Sequence, residues 1–263
     1  MLGELFRRAA ELLERGESAV LVTVVEAEGA PREAGARMLV FPDGRIEGTV
    51  GGGALEQHAI AKALQLLWEG RKTLLETRDL RDLGMLCGGH TVLFYEVLQA
   101  PPVLLIFGAG HVGLLLARVA RETTPWRIVL ADDREERLSA APAGVETRFL
   151  PEYQGLPEIP GKVYAVVATE SHEKDFQVVR ELLRGEPGPA YLGLLGSRAK
   201  AKEIKEKLLA LGIPKERVEA LRCPVGLPLG GKDPGSLVLS VLSEILAFHH
   251  GRLPLVQEKF ARE

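Results

Sequence analysis

The sequence predicts an α/β chain in two parts: an N-terminal α+β domain over residues 1–100 and a Rossmann-like parallel-sheet domain over residues 101–263. Three observations point there. The apolar run Val103–Phe107 passes straight into Gly108-Ala109-Gly110-His111-Val112-Gly113 and then into LLLARVARE, which has helical spacing. That is a strand, a glycine turn and a helix start, as diphosphate-binding turns require. A second strand, Ile128–Ala131, ends in Asp132, 19 residues past Gly113, where a ribose-binding carboxylate is expected. Pro101-Pro102 then separates hairpin signals on one side from strand–helix alternation on the other.

In the first part, Leu2, Leu5, Phe6, Ala9, Leu12 and Leu13 mark one helix face. AVLVTVVE (19–26) reads as a buried strand. ARMLVF and RIEGTV flank Pro42-Asp43-Gly44 as a hairpin. Gly51-Gly52-Gly53 opens a second helix, and the strands KTLLET and TVLFYEV follow, separated by a polar turn that carries Cys87. The order of elements predicts mixed strand pairing. From Val103 onward, strands at 103–107, 127–131, 163–168 and 190–194, with a short one near Thr147–Leu150, alternate with helices at 111–122, 173–184, 198–211 and 234–249. Such alternation implies a parallel sheet covered on both faces. PEYQGLPEIPG (151–161) reads as a surface loop.

Composition narrows the function classes. At 263 residues, 46% hydrophobic and 26% charged, the chain is ordinary for a globular protein. A formal charge of −3 gives no basis for a nucleic-acid or acidic-membrane partner. No apolar run approaches the ~18–20 residues of a membrane span. MLGELFRRAAELLERG reads as an amphipathic helix rather than a signal peptide. Two cysteines, Cys87 and Cys223, exclude a disulfide framework, so a cytoplasmic setting is expected.

Candidate site residues lie in turns. Three successive glycines, Gly51, Gly52 and Gly53, are conformationally costly. They suit the close approach of a ligand, or a crowded turn without one; Glu56 and His58 follow in the helix's first two turns. Leu86-Cys87-Gly88-Gly89-His90 sets a thiol beside free amides, where it could be a nucleophile, sulfur carrier or soft-metal ligand, or an inert buried cysteine. One cysteine and one histidine are too few for a zinc site. Arg32 could hold a phosphate or simply face solvent. In the second part, Gly108, Gly110, His111 and Gly113 with Asp132 form the nucleotide-type turn. Thr169-Glu170-Ser171-His172-Glu173-Lys174-Asp175 follows another strand end. There His172 is a general acid/base candidate or a helix-capping residue. Gly196, Ser197, Arg198 and Lys200 make an anion-friendly helix start. Cys223 lies in a packing segment that leads to the last long helix, where Leu237, Val241, Glu244, Ile245 and Phe248 read mostly as packing.

Taken together, GARMLVFPDGRIEGTVGGGALE, the CGG turn at 87–89, LLIFGAGHVG, LADDREER, TESHEKD, YLGLLGSRAK and CPVGLPLGGKDPGSLVLSVLSEIL resemble the xanthine dehydrogenase accessory protein family (XdhC/CoxI). The resemblance implies a maturation protein rather than a catalyst. Such a protein binds molybdenum cofactor (molybdopterin), assists its sulfuration with a cysteine desulfurase, and helps insert it into a xanthine dehydrogenase-type molybdenum hydroxylase; a homodimer is expected. By the same resemblance, Cys87 would contact the metal or a transferred sulfur. Gly51–Gly53 with Glu56 match a GGG-x-x-E turn, His172 and Asp175 a His-x-x-Asp loop, and Gly196, Ser197, Arg198 and Lys200 a GSR-x-K loop. Many members carry a cysteine pair where this chain has Leu86-Cys87, and others a cysteine where it has Ala54, so a two-thiol mechanism does not carry over. The alternatives are an NAD(P)-dependent oxidoreductase whose first domain binds substrate, and a nucleotide-sensing regulatory module.

Overall fold

The computed structural model describes residues 2–29, 32–69, 71–84 and 89–260. Two compact units divide the chain, Met1–Ala100 and Pro101–Glu263. In the first, α1 (Leu2–Glu14) and β1 (Ser18–Glu28) precede the hairpin of β2 (Arg37–Val40) and β3 (Ile46–Gly48). Then come α2 (Gly53–Glu69), β4 (Thr73–Asp79) and β5 (His90–Gln99). The sheet order is β3-β2-β1-β5-β4.

Every pairing in that sheet is antiparallel, which corrects the expected mixed pairing. The strand–helix–strand passage β3–α2–β4 does run two strands the same way. It carries them to opposite edges, though, so they never share a ladder. Alternation along the strands separates two cores. Val20, Val22, Val24, Met38, Val40, Leu93 and Tyr95 meet Leu55, Ala59, Ala63 and Leu66 of α2. Ala19, Leu21, Leu39 and Phe41 meet Ala9 and Leu12 of α1 on the other face.

The second unit runs β6 (Val103–Phe107), α3 (His111–Thr123), β7 (Arg127–Asp132), α4 (Glu135–Leu138), β8 (Glu146–Phe149), a 3-10 turn at Pro151–Tyr153, β9 (Val163–Val167), α5 (His172–Arg184), β10 (Tyr191–Leu194), α6 (Arg198–Ala210), α7 (Lys215–Ala220), α8 (Pro234–His249) and α9 (Leu253–Phe260). Its order, β10-β9-β6-β7-β8, is parallel throughout and places the first strand at the centre. All five residues of β6 are buried because both faces are covered. Leu105 and Phe107 join Val178, Val179 and Ile204 on one side. Leu104 and Ile106 join Leu116, Val241 and Ile245 on the other. The switch point of this topology falls between β6 and β9, and the loops at that sheet edge are where ligands of such sheets bind. The loop after β8 is not wholly superficial: Tyr153 is fully buried, edge-on to Phe107 at 6.3 Å between ring centroids.

Candidate functional site

The three glycines of the turn after β6 do three different jobs. Gly108 has φ +107°, and a Cβ there would lie 2.2 Å from the Ala168 carbonyl oxygen. A Cβ on Gly113 would lie 1.8 Å from the Gly108 oxygen. These two are needed for the tight turn and for seating α3 on the strand. A Cβ on Gly110 would meet nothing within 4 Å. Gly110 is also the N-cap of α3 and brings no side chain to the cap, so the helix's first amides face open space beside the exposed His111.

Asp132 stands where the spacing put it, but its side chain turns inward. It is fully buried. One oxygen accepts the Ala109 N–H at 2.6 Å and the other the Arg134 N–H at 3.0 Å. The carboxylate therefore holds the glycine turn in shape. Around it lies a charged group that the sequence reading did not assemble. Lys174 bridges Asp133 and Glu170. Arg134 Nη2 lies 3.0 Å from Glu170 Oε2, and its Nε lies 3.7 Å from Asp133 Oδ1. Burial alone would raise the Glu170 pKa, but the Lys174 hydrogen bond and the charges of Arg134 and Lys174 bring it below the usual value. The available signal was the density of charge in ADDREER and TESHEKD at two strand ends.

The neighbouring loops are locked by a second ion pair. Asp175, 2% exposed, accepts the Thr169 N–H at 2.9 Å and the Thr169 hydroxyl at 2.7 Å. Lys200, 8% exposed, pairs with Asp175 and donates to the Leu195 carbonyl at 3.0 Å. A Cβ on Gly196 would press on the Lys200 stem at 2.7 Å. Thr169, Asp175, Gly196 and Lys200 thus form one internal brace. Ser171 and Ser197 are the N-caps of α5 and α6, accepting from Lys174 N and Lys200 N. His172 and Arg198 open those helices and are exposed. Glu244 does more than pack: it accepts from the Tyr191 hydroxyl at 2.7 Å and from Gly226 N at 2.9 Å. Cys223 is half-buried against the core, which pushes its thiol pKa up.

In the first unit, Gly51, Gly52 and Gly53 have φ of +149°, +75° and +57°. Nothing lies within 4 Å of a Cβ at Gly52 or Gly53. The glycines answer to backbone conformation rather than to crowding, and the turn stays open. Glu56 braces it through the Thr49 hydroxyl, which in turn accepts from Gly51 N at 3.3 Å. Gly89 is a close-approach glycine: a Cβ there would lie 2.0 Å from the Glu28 oxygen. Beyond α2's first turn, Glu76 gathers Tyr95 (3.1 Å), His58 (2.9 Å) and Arg78 (2.6 Å). Burial works to raise the Glu76 pKa, but the hydrogen bonds from Arg78 and His58 and the charges of the same two residues outweigh it, and the net shift is downward. Cys87 and Gly88 lie outside the described residues. Among those described, no three His, Cys, Asp or Glu side chains are grouped to hold a metal ion. No helix among them is long and apolar enough to cross a membrane.

Comparison with known proteins agrees with this two-unit pattern. Residues 104–245 match the XdhC Rossmann domain, and residues 12–78 match the XdhC and CoxI family. The chain is 32% identical over 251 residues to Escherichia coli YqeB, described as uncharacterized, covering 92% of this chain and 46% of that one. It is 29% identical over 277 residues to the E. coli molybdenum cofactor insertion chaperone PaoD, covering 92% of this chain and 86% of the chaperone. Over 167 residues it is 29% identical to a probable xanthine dehydrogenase subunit of Bacillus subtilis, covering 59% of this chain and 46% of that protein. The chain thus spans about half the length of YqeB and of the B. subtilis protein. A solved structure described as a xanthine dehydrogenase from Bacillus halodurans covers 93% of this chain and 96% of its own, at 20% identity and TM-score 0.48. With both units matched in order, the chain belongs to the XdhC and CoxI family.

Proposed function

We propose that this chain binds molybdenum cofactor and assists its sulfuration and insertion into a xanthine dehydrogenase-type hydroxylase, with a cysteine desulfurase as sulfur source and a homodimer as the working form. The observation that carries the reading is the similarity to the insertion chaperone PaoD across 92% of this chain and 86% of that one. The residues present suit the cofactor's phosphate: the open α3 N-terminus at Gly110 offers amides, and the exposed Arg198 at the start of α6 offers a cation. The open Gly51–Gly53 turn offers backbone in the first unit. When bound, the cofactor supplies a molybdenum centre with soft sulfur ligands, and Cys87 is the thiol suited to meet it.

In this reading Asp132, Asp175 and Lys200 keep the loops of the second unit in place, while its Gly110, His111, Ser197 and Arg198 face the ligand. His172, exposed at the start of α5, is available to hold a proton. The test is to purify the chain from cells that make molybdenum cofactor and to measure bound molybdenum and pterin. Near-stoichiometric retention, reduced in Cys87→Ala with the melting temperature unchanged, is expected. A wild-type chain that retains neither and does not raise activation of a partner hydroxylase would sink the reading.

A further inference from the structure

Among the described residues, the buried side-chain polar atoms that make no hydrogen bond of good geometry are Asp133 Oδ1, Arg134 Nε, Arg134 Nη2 and Tyr153 Oη, the two Arg134 nitrogens being held in ion pairs alone. They belong to one place. Asp133 and Arg134 follow β7, and the Tyr153 hydroxyl feels the charges of Asp132, Asp133 and Glu170. Glu170 and Lys174 come from the far side of β6, after β9. Because β6 lies between β7 and β9, the Lys174–Asp133 and Arg134–Glu170 pairs must pass over its end, beside the glycine turn. In a doubly wound sheet of this order, the nucleoside part of a dinucleotide sits in that crevice, with its ribose on the acidic residue ending the second strand. Here that acid, Asp132, is spent on Ala109 and Arg134 amides, and the space above it is crossed by side chains.

We propose that Arg134, Glu170 and Lys174 form a strap across the nucleoside end of the Rossmann crevice and thereby set its specificity, excluding adenine nucleotides. Two features separate a strap from a mere stabilising cluster. Its outer members are partly exposed, with Arg134, Glu170 and Lys174 side chains at 31, 28 and 24%, while Asp133 beneath is at 3%. Beneath them Asp133 Oδ1 is buried with only the long contact to Arg134 Nε at 3.7 Å and no hydrogen bond, a poor arrangement for stability alone. The strap fills the seat without satisfying itself. An entering base would have to break the Arg134–Glu170 and Lys174–Asp133 pairs and leave Asp133 buried and uncompensated.

This inference does not rest on the maturation reading; a chain that retained no molybdenum cofactor would still show it. The experiment is calorimetric titration of the full chain with AMP and with NAD, comparing wild type with Glu170→Ala, Lys174→Ala and the double variant. The wild type is expected to show no saturable binding of either. The double variant, which removes one partner from each crossing pair, is expected to gain at least about tenfold in affinity for AMP. Glu170→Gln keeps the side-chain length while removing its charge, so it covers the case in which the truncations unfold the protein; a smaller gain in the same direction is expected. Wild-type binding of NAD or AMP at about micromolar strength would overturn the strap. So would folded variants, Glu170→Gln included, that bind AMP no better than the wild type.

Discussion

Two buried carboxylates at the edge of the parallel sheet show how much can depend on one side-chain torsion. The spacing in the sequence located Asp132 at the end of the second strand, yet spacing fixes a Cα and not a rotamer. Only the structure shows the carboxylate turned inward onto Ala109. Asp175 was legible as part of a His-x-x-Asp loop, but its partner Lys200 lies 25 residues away, and nothing local announces the pair. Removing the charge from one partner strands the other. Asp175→Asn should therefore destabilise the second unit by ~3–5 kcal/mol, measured by denaturant unfolding. The glycines separate in the same way. Gly108→Ala, with its Cβ against the Ala168 oxygen and φ at +107°, should cost at least ~1–3 kcal/mol. Gly110→Ala should leave the melting temperature within a degree or two of wild type and change only ligand retention.

At the level of elements, periodicity located strands and long helices within a residue or two, because burial on one face or both leaves a period in the sequence. It missed α4, α7 and α9, which are too short or too lightly buried to show one. Pairing direction was harder. The helix between β3 and β4 suggested a parallel pair, and the opposite edges those strands occupy could not be read from the chain. The Glu76 cluster joins α2, β4 and β5 and has a pH signature. Its folded pKa lies below the ordinary 4.5, so its stabilisation is fully present above about that pH and is lost as pH falls through the depressed value. The melting-temperature gap between wild type and Glu76→Gln should be widest near neutrality and shrink on acidification below about pH 4.5. A gap independent of pH would assign Glu76 a purely steric role.

For the whole molecule, each unit carries its own pair of buried clusters, and residues 1–100 and 101–263 expressed separately should each unfold cooperatively in thermal melts. Two prolines stop both kinds of element at once, which is why the sequence suggests a division at Pro101-Pro102; nothing comparable marks the strap, because its members come from two strand ends. The strand order of the first unit also bears on how the protein is made. Its central strand β1 pairs from Ser18↔Gln99 to Glu28↔His90, so the first long strand to leave the ribosome waits for the last. Until residue 99 has emerged, one side of Val20–Val24 has no ladder, and an apolar run lies open to proteases and to other nascent chains. Ribosome-bound chains arrested before Gln99 emerges should be cut readily within β1, and those arrested some tens of residues later should resist. The nascent protein would then be most vulnerable just before its second unit begins to emerge.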